Sequence, residues 1–158
     1  MFDMLQEYNK ILVAIDGSSQ AEKAFKKAVE VAKRNDAVLV LAHVIDTRAY
    51  QSFSTFDGSI ADNAREEAKN TLNDYKEYAE KEGLTHIKKV LEYGSPKIMI
   101  AKQIPEAEDI DLIMLGATGL NAVERIFVGS VSEYVIRQAE CDVLIVRTDL
   151  TNKYTKDS

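Results

Sequence analysis

Cysteine, tryptophan and proline are nearly missing from this chain: one Cys, no Trp and two Pro in 158 residues. The lone Cys141 can close no internal disulfide, and no second cysteine completes a metal or redox motif. A reducing compartment is expected. Long apolar runs are lacking too. Stretches such as Ile11 to Ile15 are far too short to cross a bilayer, and the opening Met1-Phe-Asp-Met-Leu-Gln-Glu carries acid where a signal peptide carries base. The expectation is a cytoplasmic protein with no membrane partner. Basic charge is in deficit, with 20 Lys and Arg against 26 Asp and Glu, a formal charge of −6. Nucleic acid needs a basic surface, so it is not expected as a main partner, although a local basic pocket stays open. What is present, 46% hydrophobic and 29% charged residues, suits one compact domain over residues 1–158, with its core at about 9–147 and a polar tail 148–158 that should fray.

Five short apolar segments alternate with longer helix-like ones: Ile11 to Ile15, Val38 to Val44, Ile87 to Leu91, Leu112 to Leu115 and Val143 to Val146. Their β-branched character predicts strands buried on both faces, as in a parallel sheet covered by helices. Ala21, Ala24, Phe25, Ala28 and Ala32 follow the spacing of one helical face, with Lys23, Lys26, Lys27, Glu30 and Lys33 opposite. From Ser59 to about Glu82 the pattern is helical again, with Gly83 as the stop. Ser95-Pro96 reads as an N-cap with proline in the first turn, and Pro105 should end or kink the helix it opens. The last helix is expected from about Ser130 to Ala139. This alternation implies an α/β fold, an open doubly wound parallel sheet with right-handed crossovers. The connection Asp46 to Gly58 is long for that architecture and holds Tyr50, Phe53 and Phe56, so it reads either as a lid or partner surface or as a loop packed on its own domain.

One stretch carries chemistry. After the fourth strand, Gly116-Ala-Thr-Gly119 is followed by nine residues and then Gly129-Ser130-Val131-Ser132 at the start of a helix. Glycines let backbone amides approach a bulky anion, the helix start adds free amides and a positive dipole end, and serine hydroxyls can donate to phosphate oxygens. A backbone site of this kind holds polyphosphate in spite of an acidic net charge. The competing reading is structural: Ser130-Val-Ser-Glu133 is also a capping box, and Gly116 and Gly119 could simply turn a loop. At the end of the first strand, Ala14-Ile15-Asp16-Gly-Ser18 puts a carboxylate where ligands of open α/β sheets sit, unless Asp16 only caps its own turn. If strands one and four are neighbours, Asp16 faces the Gly116 to Ser132 loop.

Together Asp16-Gly-Ser18, Leu41-Ala-His-Val-Ile-Asp46, Asp111-Leu-Ile-Met-Leu-Gly116, the glycine-serine loop and Cys141-Asp-Val-Leu-Ile-Val-Arg147 resemble the universal stress protein A family, over about Asn9 to Arg147. The complete glycine loop is similar to that of its ATP-binding branch. The resemblance implies a Rossmann-like five-stranded parallel sheet of order 3-2-1-4-5 with helices on both faces. It also implies that Ala14, Ile15 and Asp16 border adenosine, that Val44 meets the adenine, and that Leu115, Gly116 and Gly119 flank ribose and phosphates. Gly129, Ser130, Val131 and Ser132 would wrap the phosphate chain, with Arg125 adding charge or staying an exposed surface cation. A phosphate-bound magnesium or manganese would lie near Asp16. Many relatives carry proline where this chain has Ala14 and Asp142. Family members commonly dimerise through the last strand, and an apolar edge at Val143 to Val146 invites the same homodimer here, close to Cys141, which otherwise reads as a small buried hydrophobe.

Other chemistries lack their marks. No glycine loop ends in Gly-Lys-Ser/Thr, and no Gly-x-Gly-x-x-Gly follows the first strand, so neither a P-loop ATPase nor a dinucleotide oxidoreductase is supported. His43 reads as a packed residue rather than a general base. Asp16, Glu124 and Glu133 are the only carboxylates placed near the phosphates, and none has a partner to position water. The sequence therefore favours an ATP-dependent stress-response switch over an efficient enzyme. The alternatives are a dimeric interaction module without nucleotide, or a slow ATPase.

Overall fold

The computed structural model describes residues 7–50, 59–117 and 129–147. Five parallel strands form one sheet in the order β3-β2-β1-β4-β5: β1 Lys10–Ala14, β2 Val38–Asp46, β3 Ile87–Gly94, β4 Leu112–Gly116 and β5 Asp142–Val146. Helices α1 (Ser19–Asn35) and α2 (Ser59–Lys81) cover one face. On the other lie α3 (Pro96–Ile98), a π-helical segment Met99–Gln103, α4 (Ile104–Glu108) and α5 (Ser130–Gln138). The expected fold class and strand order are both present.

Side-chain alternation along the central strands sorts the core into two layers. Ile11, Val13, Leu39, Leu41, Leu112 and Met114 point at α1 and α2 and are essentially buried, while Leu12, Val40, Ala42, Ile113 and Leu115 pack under the other helices. α1 buries Ala21, Ala24, Phe25, Ala28 and Ala32, as its spacing predicts. Phe25 meets Tyr75 of α2 edge-on at 4.6 Å between ring centres, which ties the two helices together. Both helices stop where the backbone turns left-handed, at Asp36 (φ 52°) after α1 and at Gly83 (φ 103°) after α2.

Three expectations need correction. β3 is not buried on both faces: Lys88, Lys89, Glu92 and Tyr93 are exposed, because the strand is a sheet edge, and Lys88 pairs with Glu108 at 2.8 Å. Ser95 occupies the N-cap position of α3, but its side chain makes no capping bond. Pro105 does not end the helical path. It sits in the first turn of α4, directly after the π segment, where the Ile104 N–H reaches back five residues to the Met99 carbonyl. The wider turn makes room for a ring that would otherwise strike the preceding coil.

β5 begins at Asp142, whose carboxylate accepts from the Tyr8 hydroxyl at 2.8 Å. The connection after β2 opens with a 3-10 turn, Thr47–Tyr50, in which Arg48 binds the Asp46 carboxylate at 2.8 Å and holds it below the usual carboxylate range. The Tyr50 side chain, Phe53 and Phe56 lie outside the described residues, as does the tail 148–158.

Candidate functional site

β1 and β4 are neighbours, but the chain leaves them for opposite faces of the sheet: α1 follows β1 on one face and α5 precedes β5 on the other. At such a divergence the strand ends leave a crevice that loops do not fill. Here it is a cleft of about 420 Å³. Ala14, Ile15 and Asp16 from the end of β1, Val44 from β2, Leu115 and Gly116 from β4, and Gly129, Ser130, Val131 and Ser132 from the start of α5 all line it. Gly119 and Arg125, with Glu124, lie outside the described residues.

The two helix starts at this cleft differ in chemistry. α1 caps one amide of its first turn with a side chain: the Ser18 hydroxyl accepts from the Ala21 N–H at 3.1 Å, and the Ser18 carbonyl accepts from Glu22 N–H. α5 does not. Its N-cap is Gly129, which has no side chain to offer, and the first intrahelical bond is Glu133 N–H to the Gly129 carbonyl at 2.9 Å. The amides of Ser130, Val131 and Ser132 precede that bond and are the ones a helix leaves to an outside acceptor. The capping box that the sequence offered as the alternative reading is absent. Ser130 is the first helical residue rather than the cap, and Glu133 turns along the helix to Arg137 at 2.9 Å. Ser132 is the one buried polar side chain among the described residues, at 6% exposure, on the wall of the cleft.

Gly116 has a different reason from the one its spacing suggests. A Cβ there would run into the Gln20 carbonyl oxygen and come within 2.8 Å of its carbonyl carbon. The glycine lets the first turn of α1 close against the end of β4, which shapes the cleft that Gly116 also lines. Gly17, at φ 83°, supplies the left-handed turn between β1 and α1.

Asp16 is exposed, and one carboxylate oxygen accepts from the Ser18 N–H at 2.9 Å, so its turn-capping role is real. It also borders both the cleft and a second cavity of about 380 Å³ behind β2, which His43, Glu67 and Thr71 help to line. His43 is half-buried, with Nδ1 2.6 Å from the Ile15 carbonyl. A carbonyl only accepts, so Nδ1 carries the proton. This is a packed histidine, as the sequence predicts. Burial pushes the Cys141 thiol up, with Asp111 and Asp142 adding to the effect, so it is a poor nucleophile. No group of three or more His, Cys, Asp or Glu able to hold a metal occurs among the described residues. No helix among them is long and apolar enough to cross a membrane.

The sequence and the fold that form this cleft are matched by known proteins. The profile of the universal stress protein family matches residues 7–147. The chain belongs to the universal stress protein family. A protein of Staphylococcus haemolyticus named as a universal stress protein is 49% identical over 142 residues, 90% of this chain and 86% of that one. Among solved structures, universal stress protein UspA from Lactobacillus plantarum superposes with a TM-score of 0.77 at 34% identity, covering 89% of this chain and 99% of that one. The universal stress protein of Archaeoglobus fulgidus, solved in complex with dAMP, superposes at 0.61 with 25% identity, covering 87% of this chain and 97% of that one.

Within this universal stress protein, the cleft also takes residues that the sequence does not single out: Ser18, Gln20 and Ala21 from α1, Ala42 from β2, and Pro96 and Ile100 beyond β3. Their position follows from topology. In a parallel sheet every strand-to-helix junction lies at the same end, so Pro96, opening the helix after β3, belongs beside Ser18, which opens the helix after β1.

Proposed function

We propose that this universal stress protein binds ATP in the β1/β4 cleft and works in the cytoplasm as a nucleotide-dependent stress-response switch. The observation that carries this reading is the start of α5. Three amides without a capping side chain, and two serine hydroxyls, converge on a cleft that also holds the end of β1. Such a cluster is electropositive without any lysine, which suits a polyanion inside a protein of net charge −6. The dAMP held by the Archaeoglobus fulgidus relative supports an adenine nucleotide as the ligand class.

The residues fit a divalent cation only indirectly. Among the described residues Asp16 is the one carboxylate on the cleft wall, and one of its oxygens is engaged by Ser18. Magnesium or manganese would therefore be held by phosphate oxygens and water, with Asp16 as an outer partner, and would neutralise phosphate charge. That arrangement favours binding and release over rapid hydrolysis. Calorimetry on nucleotide-stripped protein, with ATP, ADP and AMP and with magnesium present or chelated, tests the proposal. One ATP per chain, bound more tightly with magnesium, is the expected outcome. No heat at millimolar ATP returns the chain to the nucleotide-free interaction module.

The homodimer belongs to the same proposal. β5 is a sheet edge, Leu144 on it is 38% exposed, and Ile136 on the neighbouring α5 is 50% exposed. An open strand edge flanked by apolar side chains favours pairing with a second copy. Replacing Leu144 by lysine should convert the dimer to monomer in analytical ultracentrifugation while the circular dichroism spectrum is kept. An unchanged sedimentation coefficient would place the interface elsewhere.

A further inference from the structure

We propose that His43 is a positioning residue that keeps the rim of β2 at Val44 open for the nucleotide's base. This rests on the nucleotide reading above and gives it a device for telling a nucleotide from bare phosphate.

In a parallel sheet, alternate residues of a strand bond to opposite neighbours. On β2, Leu39 N–H reaches the His86 carbonyl at 3.0 Å, so residues of that parity face β3. The Ala42 carbonyl receives the Ile15 N–H at 2.7 Å, so the other parity faces β1. Val44 belongs to the second set. The regular partner of its N–H is the Ile15 carbonyl, one step further along the same ladder. Among the described residues no backbone bond joins those two groups, and the β1–β2 pairing ends at Ala14 opposite Ala42. The Ile15 carbonyl is held by the His43 ring, at 2.6 Å from Nδ1.

The two side chains sit on opposite faces of β2. Val44 packs with Val40 and Ala42 and borders the cleft, reaching the rim of the cavity behind as well, whereas His43 borders that cavity alone. The ring therefore acts from behind the sheet. It engages the carbonyl that would otherwise close the ladder over Val44 and holds it off the line of the Val44 N–H, and β1 and β2 separate a residue early. A strand rim left open in this way presents an N–H and a C=O side by side. That pair matches the donor-and-acceptor edge of a heteroaromatic base, and a phosphate chain has no such edge. His43 touches no ligand in this scheme, and its effect passes through Ile15.

The experiment has two arms. In ligand-free wild-type protein, amide hydrogen exchange read by NMR should find the Val44 amide poorly protected, and His43→Phe, which keeps a ring but loses the donor, should slow its exchange about tenfold or more. In the second arm, His43→Phe should weaken ATP binding about tenfold and leave inorganic tripolyphosphate unchanged, while His43→Gln, which restores a donor, stays within about threefold of wild type. A Val44 amide already protected in the wild type overturns the proposal, even if the Phe variant does not fold. Exchange unaffected by a folded Phe variant, or equal losses for ATP and tripolyphosphate, overturns it as well. A wild type that binds neither ligand defeats the nucleotide reading instead, and the exchange arm still decides what His43 does to the strand rim.

Discussion

Replacing Gly116 by alanine should destabilise the protein by about 3 kcal/mol, at the upper end of what overpacking a close contact brings. The added methyl meets backbone, not the end of a flexible side chain. It collides with the Gln20 carbonyl group, in the first turn of α1. Neither partner can yield by changing rotamer, since Gly116 is fixed in the ladder with β5 and Gln20 in a helix capped by Ser18. Relief requires the start of α1 to back away from β4. Ser18, Gln20 and Ala21 line the cleft, so any such shift deforms the site along with the fold. Urea unfolding followed by circular dichroism checks the magnitude, and nucleotide affinity measured on the folded fraction checks the coupling. A loss under about 0.5 kcal/mol, the size of an ordinary surface change, would mean that this packing is not what requires glycine here.

The double substitution Ser130→Ala, Ser132→Ala should do the reverse, abolishing most nucleotide affinity with little effect on the fold. Each hydroxyl bonded to a charged phosphate is worth about 1.5 kcal/mol, so losing both weakens binding by roughly a hundredfold. Stability should hold because Gly129, not Ser130, is the N-cap, and Glu133 is engaged with Arg137. A true capping serine would cost about 1 kcal/mol when replaced, and that loss in the Ser130→Ala single variant would restore the capping box. Calorimetric affinity and the urea midpoint, measured on the same preparations, separate the two outcomes.

The sheet is legible in the sequence because its central strands are uniform in what they demand. Ile11 to Val13, Leu39 to Leu41 and Leu112 to Met114 are buried on both faces, and continuous β-branched and leucine runs are the pattern of that burial. β3 is less legible. Its Lys88, Lys89 and Glu92 already mark an edge, yet only the strand order says which edge. The candidate site is legible at Asp16 and at Gly129 to Ser132 by position at a strand or helix end, although each place also allows a local capping role, which Asp16 in fact plays. It is not legible where the reason for a residue lies in a distant backbone. Nothing near Gly116 in the sequence names Gln20, 96 positions earlier, as the atom group it must clear. Capping misleads for a related reason. Ser130 and Glu133 have the right spacing for a box, but the helix starts one residue earlier than the box requires and Arg137 competes for the carboxylate. His43 is legible as a packed residue, while the bond that gives it a task reaches 28 residues back to Ile15.

The central claim is that ATP occupies the cleft between the ends of β1 and β4 and the start of α5. An NMR titration of isotope-labelled protein with ATP and magnesium tests it most directly. The largest amide shifts should fall on Ser130, Val131 and Ser132, with Val44, Asp16 and Gly116 next. Residues of the cavity at the other end of the sheet, Lys102, Glu106 and Glu140, should not move. Saturating shifts confined to that second group, or none at millimolar ATP, would contradict the account.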